Sequence, residues 1–471
     1  MRSVFGAAKR AVCCILAGAV IALCGCSGRD GESGGASNGV VKATDEAVTT
    51  DVSAPAEPAA VSLETPVLRY LGSYDLGADE DTAAARAAYL STYAADYLDK
   101  SSGKYYFPNG GDALIISEAV SAGRINEVLT ARIQADDSPD LVDVREDSFP
   151  YQMSRNMYED ISPYMNMSAP QWAELGEYIN AFGTGSKRFY YPWRYEAATE
   201  RLYYNRTLFE QYGIPDPAEQ WSAGEWTWDA LLEAVRTFTA AVDGAVGICG
   251  DDPAQGFLLS TGTALISRAE SGKFVSNIGS PEAASAMEWL DENLRSQGLI
   301  TSACAGYDSD SAMPAAIGLA AFRAAGSGEF SRYCRDYAEY DMWNVPYPSE
   351  NGEGAYSADA FGYLVPKGAK NVVGACCFIN SCRIAEAGER SDAEKSRIMK
   401  KNGYTEEEYA YMEQFTHAER FSVVIDYTAF DPGAQAAFAA LSAQEGSWQE
   451  ISAQEAPAFE RAAADLSAMV E

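Results

Sequence analysis

From Val67 onward the apolar residues follow two alternating rhythms. Val67–Tyr70 predicts a strand, and Asp81–Leu98 a helix with Tyr89, Leu90, Tyr93 and Tyr97 near one face. Ala113–Ser117 predicts a second strand, Ile125–Gln134 a helix, Asp140–Val144 a third strand behind Ser138-Pro139, and Pro170–Phe182 a helix. This alternation implies an α/β arrangement around a largely parallel sheet. The rhythm continues downstream. Thr227 can cap a helix from Trp228 to about Thr239, with Asp229 in the first turn and Leu231, Leu232, Val235 and Phe238 on its apolar face. Ser280-Pro281-Glu282 reads as another helix start, and Ala286, Met287, Leu290 and Leu294 carry its buried stripe to a stop at Gly298. Asp341–Tyr347 and Gly362–Pro366 predict strands, Thr405–Arg420 a helix opened by a Thr405–Glu408 capping box, and Ser447–Glu471 a mostly helical end.

The first 65 residues are of another kind. Arg2, Lys9 and Arg10 precede an apolar run from Ala11 to Leu23, the layout of a secretory signal. The run is short of the ~20 residues a membrane-spanning helix needs. Its end, Leu23-Cys24-Gly25-Cys26, resembles a bacterial lipobox, which makes 1–25 a lipoprotein signal peptide and Cys26 the lipidated first residue of the mature chain. An ordinary signal peptide with an incidental cysteine is the plain alternative. Ser27–Thr65 contains no aromatic residue and is rich in Gly, Ser, Ala, Thr, Pro, Asp and Glu. It cannot bury enough apolar surface to offset the entropy of ordering, so 26–65 is expected to be a flexible tether. Random-coil scaling puts its ends roughly 35 Å apart.

Composition narrows the remaining choices. About 405 residues follow the tether, too many for one core and suited to two lobes. The formal charge of −33 argues against nucleic acid and anionic lipid surfaces as partners. The one histidine, His417, excludes multi-histidine metal sites, and no Gly-x-Ser-x-Gly elbow accompanies it. Six cysteines follow Cys26 (Cys249, Cys304, Cys334, Cys376, Cys377 and Cys382) without a Cys-x-x-Cys pair, so structural zinc is not expected. Cys376 and Cys377 lie in an apolar run and read as buried free thiols. No cofactor is indicated.

The segment Lys187–Thr239 is the most distinctive. It contains Phe189-Tyr190-Tyr191-Pro192-Trp193, then Leu202-Tyr203-Tyr204-Asn205-Arg206-Thr207-Leu208-Phe209, the turn Tyr212-Gly213-Ile214-Pro215, and Trp226-Thr227-Trp228-Asp229-Ala230-Leu231-Leu232. In this order the pieces resemble the extracellular solute-binding proteins of ATP-driven importers, the sugar-binding, maltose-binding-protein-like family. Ser138-Pro139-Asp140-Leu141-Val142, Tyr363-Leu364-Val365-Pro366-Lys367-Gly368-Ala369-Lys370-Asn371 and Ser447-Trp448 with the closing helix agree, so the resemblance spans roughly 66–471. Two stretches depart from it: the insert Tyr105–Gly111, and the Ala-rich run Ala315–Ala325 where the family usually has Gly-Lys-x-Ala-Met.

The resemblance implies a type II periplasmic-binding-protein-like fold: two hinge-linked α/β lobes that close on a ligand in the cleft between them. The lobes are expected as 66–194 with 359–420, and 195–358 with 421–471. A pyranose needs aromatic faces for its C–H surface and carboxylates, amides or Arg for its hydroxyls. Position after strand ends and match to the family's contact regions nominate Tyr74, Asp75, Glu146, Asp147, Trp193, Tyr195 and Glu196, and more weakly Phe257, Arg323, Trp343, Phe361 and Phe430. For each aromatic a scaffold role is the plain alternative, most of all for Trp226 and Trp228. The implied activity is that of an ABC importer's binding component. It would be a monomer held at the outer face of the cell membrane by its N-terminal lipid alone, passing a sugar or oligosaccharide to permease subunits. A binder of a non-sugar ligand (polyamine, amino-acid derivative or metal chelate), a two-carboxylate glycosidase and a structural lipoprotein stay open.

Overall fold

The computed structural model describes residues 20–22, 63, 65–107, 111, 113–145, 148–302, 309–417, 421–443 and 447–470. The expectations for Cys26, for nearly all of the tether and for Glu146 and Asp147 fall outside these residues.

In chain order the principal strands are β1 (Leu68–Gly72), β2 (Ile115–Ala119), β3 (Leu141–Asp143), β4 (Arg194–Ala197), β5 (Glu200–Asn205), β6 (Val246–Gly250), β7 (Ile300–Thr301), β8 (Ala320–Gly326), β9 (Met342–Pro346), β10 (Ala355–Phe361) and β11 (Tyr363–Leu364). The helices used below are α1 (Ala83–Tyr93), α2 (Ile125–Gln134), α3 (Trp228–Ala241), α4 (Ala254–Ser260), α5 (Pro281–Leu290), α6 (Glu329–Asp336), α7 (Val372–Ala387), α8 (Glu406–Glu413) and α9 (Trp448–Val470). The chain divides into two compact units. Of the described residues, one holds those from 63 to Tyr195, Ala360–Ser391 and those from Asp465; the other holds 20–22, Glu196–Asp359 and Asp392–Ala464.

The first unit is built on the sheet β11-β3-β1-β2. β1 runs parallel to β2 and β3, and β11 closes one edge antiparallel to β3. Leu68, Tyr70 and Leu71 are all buried, as expected when both faces of a parallel sheet are covered. Tyr89 of α1 meets Phe378 of α7 edge-on at 5.9 Å. α7 carries Cys376, Cys377 and Cys382 as buried free thiols, and burial pushes the Cys377 thiol up to about 11. Two helix expectations need correction. Asp81–Leu98 is α-helical only over α1, with a 3-10 turn at Ala95–Tyr97 after it, and Pro170–Phe182 splits into a 3-10 segment to Leu175 and a short α-helix, Gly176–Ala181.

The second unit is built on the sheet β7-β6-β8-β5-β9. β7, β6 and β8 are mutually parallel, whereas β5 runs antiparallel to both β8 and β9. The Ala-rich run that departs from the family pattern supplies β8, buried from Ala320 to Ala325. Small side chains there leave room for one large ring: Phe322 contacts Phe209 at 5.2 Å, Tyr204 at 5.8 Å and Trp226 at 6.0 Å. Thr227 caps α3 by accepting the Ala230 amide at 3.2 Å. Trp226 and Trp228 donate their indole N–H groups to the Pro346 and Pro348 carbonyls, which anchors that helix to the end of β9.

The boundary expected at residue 420 is wrong. Residues 392–417 belong to the second unit, although they were assigned to the first. α8 opens with the expected capping box. Its Tyr411 donates to the Asn344 carbonyl at 2.7 Å, Glu407 accepts from Arg206 at 2.9 Å, and Phe415 stacks on Trp221 at 5.4 Å. Arg201, fully buried, lies 3.8 Å above the Phe415 ring and donates to the Ala198 carbonyl at 2.7 Å. At the other end, α9 belongs to the first unit from Asp465 onward.

Removing the cap with Thr227→Ala should cost about 1 kcal/mol. Phe322→Ala, which empties the ring cluster, should cost about 3–5 kcal/mol. Both are read as lowered urea midpoints of the second unit's transition at unchanged slope.

Candidate functional site

Strands covered on both faces leave only their ends free for polar chemistry, and in open parallel sheets the carboxyl ends are the usual ligand edge. In the first unit that edge is formed by the ends of β1 and β3. Tyr70 donates to Asp143 Oδ1 at 2.6 Å, and the Ser73 amide donates to Oδ2 at 3.2 Å. Gly72 makes this pair possible: a Cβ there would overlap the Tyr70 hydroxyl and stand 2.6 Å from Asp143 Oδ2. Burial raises the Asp143 carboxyl, opposed by the Tyr70 hydroxyl, and pushes the Tyr74 phenol up to about 12. Tyr74 lies 5.5 Å from the Tyr70 ring, shares a 3.1 Å hydroxyl contact with Tyr363, and remains exposed. Trp193 stacks on Tyr363 at 6.3 Å with planes 20° apart. Its backbone is fixed by the Phe361 carbonyl at 2.8 Å, yet its buried indole N–H has no partner among the described residues.

Of the residues nominated from sequence, the structure brings Tyr74, Trp193 and Phe361 to this neighbourhood. The Phe361 ring is exposed, with the Arg194 guanidinium 4.4 Å above it. Asp75, also exposed, caps its own loop by accepting the Gly77 amide at 3.0 Å. Tyr195 is buried edge-on against Tyr178 at 5.3 Å. Three residues of this grouping were not nominated from sequence: Tyr70, Asp143 and Tyr363. All lie within strands, where side chains read as core; the polar tips of two tyrosines and an aspartate at strand ends were the available signal.

The weaker nominations in the second unit are corrected. Phe257 is fully buried among Trp228, Trp289 and Tyr347. Trp343 packs between Phe330 and Tyr411 and beneath Arg206. Arg323 is buried in a 2.7 Å ion pair with Glu329 of α6. Phe430 is buried against Tyr427. Each is held by the core and presents no open face. Glu196 is half-buried and accepts from Arg201 at 3.4 Å.

A different group occupies the ligand edge of this sheet. Glu200 opens β5, opposite Gly326 at the end of β8. Asp251 follows β6, its amide bonded to the Ala324 carbonyl at 3.0 Å. Tyr347 follows β9, whose Pro346 pairs with Arg201 next to Glu200. All three chain segments therefore end on one side of the sheet. Burial, and then the charge of Asp251, pushes the Glu200 carboxyl from its ordinary 4.5 up to about 7. Asp251 is raised by burial, with Arg323 opposing.

Residues 115–381 match the model of the bacterial extracellular solute-binding protein family. The chain belongs to that family. No curated protein matches it significantly by sequence. Among solved structures it is similar to a solute-binding protein of Thermotoga lettingae bound with α-D-tagatose, at TM-score 0.53 and 15% identity over 86% of this chain and 100% of that one. A transporter-associated binding protein of B. animalis subsp. lactis in complex with β-1,6-galactobiose gives 0.54 and 15% over 85% and 98%. UgpB of Mycobacterium tuberculosis in complex with glycerophosphocholine gives 0.53 and 13%, again over 85% and 98%. At such identities the likeness establishes the fold of this solute-binding protein, the type II binding-protein fold expected from its sequence.

Glu200 gives the edge a pH signature. Its folded-state value is raised, so the folded form holds the proton more tightly than the unfolded chain. The contribution of Glu200 to stability is therefore fullest below about 4.5, is lost as pH rises through about 7, and stays absent above. Glu200→Gln should stabilise the protein by about 1–3 kcal/mol at pH 8 and change nothing at pH 4. Urea unfolding at the two pH values checks it.

Proposed function

We propose that this solute-binding protein captures a sugar or oligosaccharide and delivers it to the permease of an ATP-driven importer. The observation that carries the reading is the grouping of Trp193, Tyr363 and exposed Tyr74 around the Asp143 carboxylate at the strand ends of the first unit. The open face of Tyr74, backed by the buried rings of Tyr363 and Trp193 and set beside a fixed acceptor, suits the alternating C–H and O–H surfaces of a pyranose. The unpartnered indole N–H of Trp193 offers a donor for a sugar oxygen. Tagatose and galactobiose, the ligands named for two structural relatives, fit the same chemistry.

The chain acts as a binder rather than a catalyst, so a bound saccharide leaves unchanged. It works as a monomer tethered by lipid on Cys26, and the intervening segment raises its effective concentration at the permease. Two acyl chains give the stable anchorage that one does not. Cell fractionation of a Cys26→Ala variant tests the anchor: wild type should remain with membranes and the variant should be released.

A thermal-shift screen over mono- and disaccharides, glycerophosphocholine and polyamines tests the ligand class. A saccharide at 100 times its Kd should stabilise by about 2.7 kcal/mol, a rise of a few degrees in Tm. Tyr74→Ala should leave the unliganded Tm within two degrees or so, because an exposed ring supports little packing, and should cut saccharide affinity at least tenfold. Shifts with polyamines alone would refute the sugar reading.

A further inference from the structure

The carboxylate edge of the second unit has no role in the sugar-stacking chemistry of the first. Tyr347 is only 3% exposed, and its hydroxyl has no hydrogen-bond partner among the described residues. Its ring cannot swing away. It lies over Gly256, where any Cβ would overlap it, and against Phe257 at 5.6 Å. An orphaned buried hydroxyl costs on the order of 1–3 kcal/mol. The half-buried side chains of Glu200 and Asp251 likewise make no ion pair or hydrogen bond with any described residue.

The basic groups nearby are committed elsewhere. Arg323 on β8 binds Glu329 at 2.7 Å, and Arg332 on α6 binds the same carboxylate at 3.2 Å. Arg295, in the turn after α5, bridges Asp252 at 3.1 Å and Asp291 at 2.8 Å. Arg201 is spent on Ala198, Asn344 and Glu196. The charged and titratable groups facing Glu200 and Asp251 are therefore Tyr347 and Asp252, with the neutralised Arg323–Glu329 pair behind Asp251.

We propose that Glu200, Asp251 and Tyr347 form a subsite for the ammonium group of an amine-bearing solute. The subsite stands on residues of this unit alone. The donor count fits. An ammonium has three N–H donors and a positive charge, and three oxygen-bearing side chains without partners await it. A neutral hydroxyl would satisfy one carboxylate and leave two negative charges uncompensated. A metal ion fits less well, since no three His, Cys, Asp or Glu groups of the described residues converge enough to hold one.

Isothermal titration of the full-length protein at pH 7.5 separates the cases. The probes are the β-1,4-linked glucosamine disaccharide, its N-acetylated form, and cellobiose, which has hydroxyls in place of the amines; spermidine is a fourth. The free amine should bind at least about tenfold tighter than the other two sugars, as charge-assisted bonds to carboxylates imply. Glu200→Gln should abolish that advantage and leave cellobiose affinity within about twofold; Asp251→Asn and Tyr347→Phe provide independent variants. Because Glu200 takes up its proton as pH falls through about 7, the advantage of the wild type over Glu200→Gln in amine binding should shrink between pH 7.5 and 5.5, the ligand's own amine titrating alike in both. Equal affinity for amine and hydroxyl forms, or equal losses for both in Glu200→Gln, overturns the proposal. Glu200-dependent binding of spermidine with no disaccharide bound removes the sugar reading and keeps the ammonium subsite. Binding of none of the four at millimolar concentration overturns the subsite.

Discussion

A sheet buried on both faces can meet a polar ligand only at its strand ends. Everything chemical in this chain follows from that constraint. The strand interiors are closed to water by their own apolar residues, from Leu68 and Leu71 in one unit to Phe322 and Ala324 in the other. Polar side chains brought to the ends sit partly inside a low-dielectric body. There an acceptor without a partner is expensive, and one with a partner is strong. The Tyr70–Asp143 pair shows the satisfied case, and Glu200 with Asp251 the unsatisfied one.

The two edges share one device. Each places a tyrosine over a glycine that has no room for a side chain, Tyr70 over Gly72 and Tyr347 over Gly256. The glycine costs backbone entropy in each case. It fixes the phenol where a larger residue would displace it, so orientation is set by packing before any ligand arrives. Such preorganisation matters because a ligand group otherwise spends affinity on ordering its partners. The cost is carried by the surrounding cores, which are dense in aromatic contacts, such as the Phe209–Tyr204–Phe322 group.

Much of the fold was legible because caps and periodicity are local. Thr227, Ser280 and the Thr405–Glu408 box all close as their sequences foretell. What failed was non-local. Nothing in the sequence of residues 392–417 says that Tyr411 and Phe415 pack on Asn344 and Trp221, so their assignment to the other unit followed the return segment by default. The site suffered similarly. Position after a strand end and match to the family's contact regions nominated Tyr74 and Trp193, which the fold places beside Tyr363. The same criteria also nominated Phe257, Trp343 and Phe430, which the core had already claimed. Conversely, Glu200 and Asp251 looked like two acids among 68, and only the register that sets Glu200 opposite Gly326 and Gly250 opposite Ala324 singles them out.

Overall acidity takes on a more specific meaning beside that pair. A charge of −33 spread over an exported protein can be explained by solubility alone. At physiological salt, screening confines each charge to about 8 Å, so the diffuse surface charge adds little at any one point. Two half-buried carboxylates are screened far less. Their local field, and not the net charge, discriminates between an amine and a hydroxyl on the same sugar skeleton. The same burial that makes them selective raises Glu200 toward neutrality, so selectivity and pH sensitivity arise from one cause: incomplete hydration of an acid that the protein itself leaves without a counter-ion.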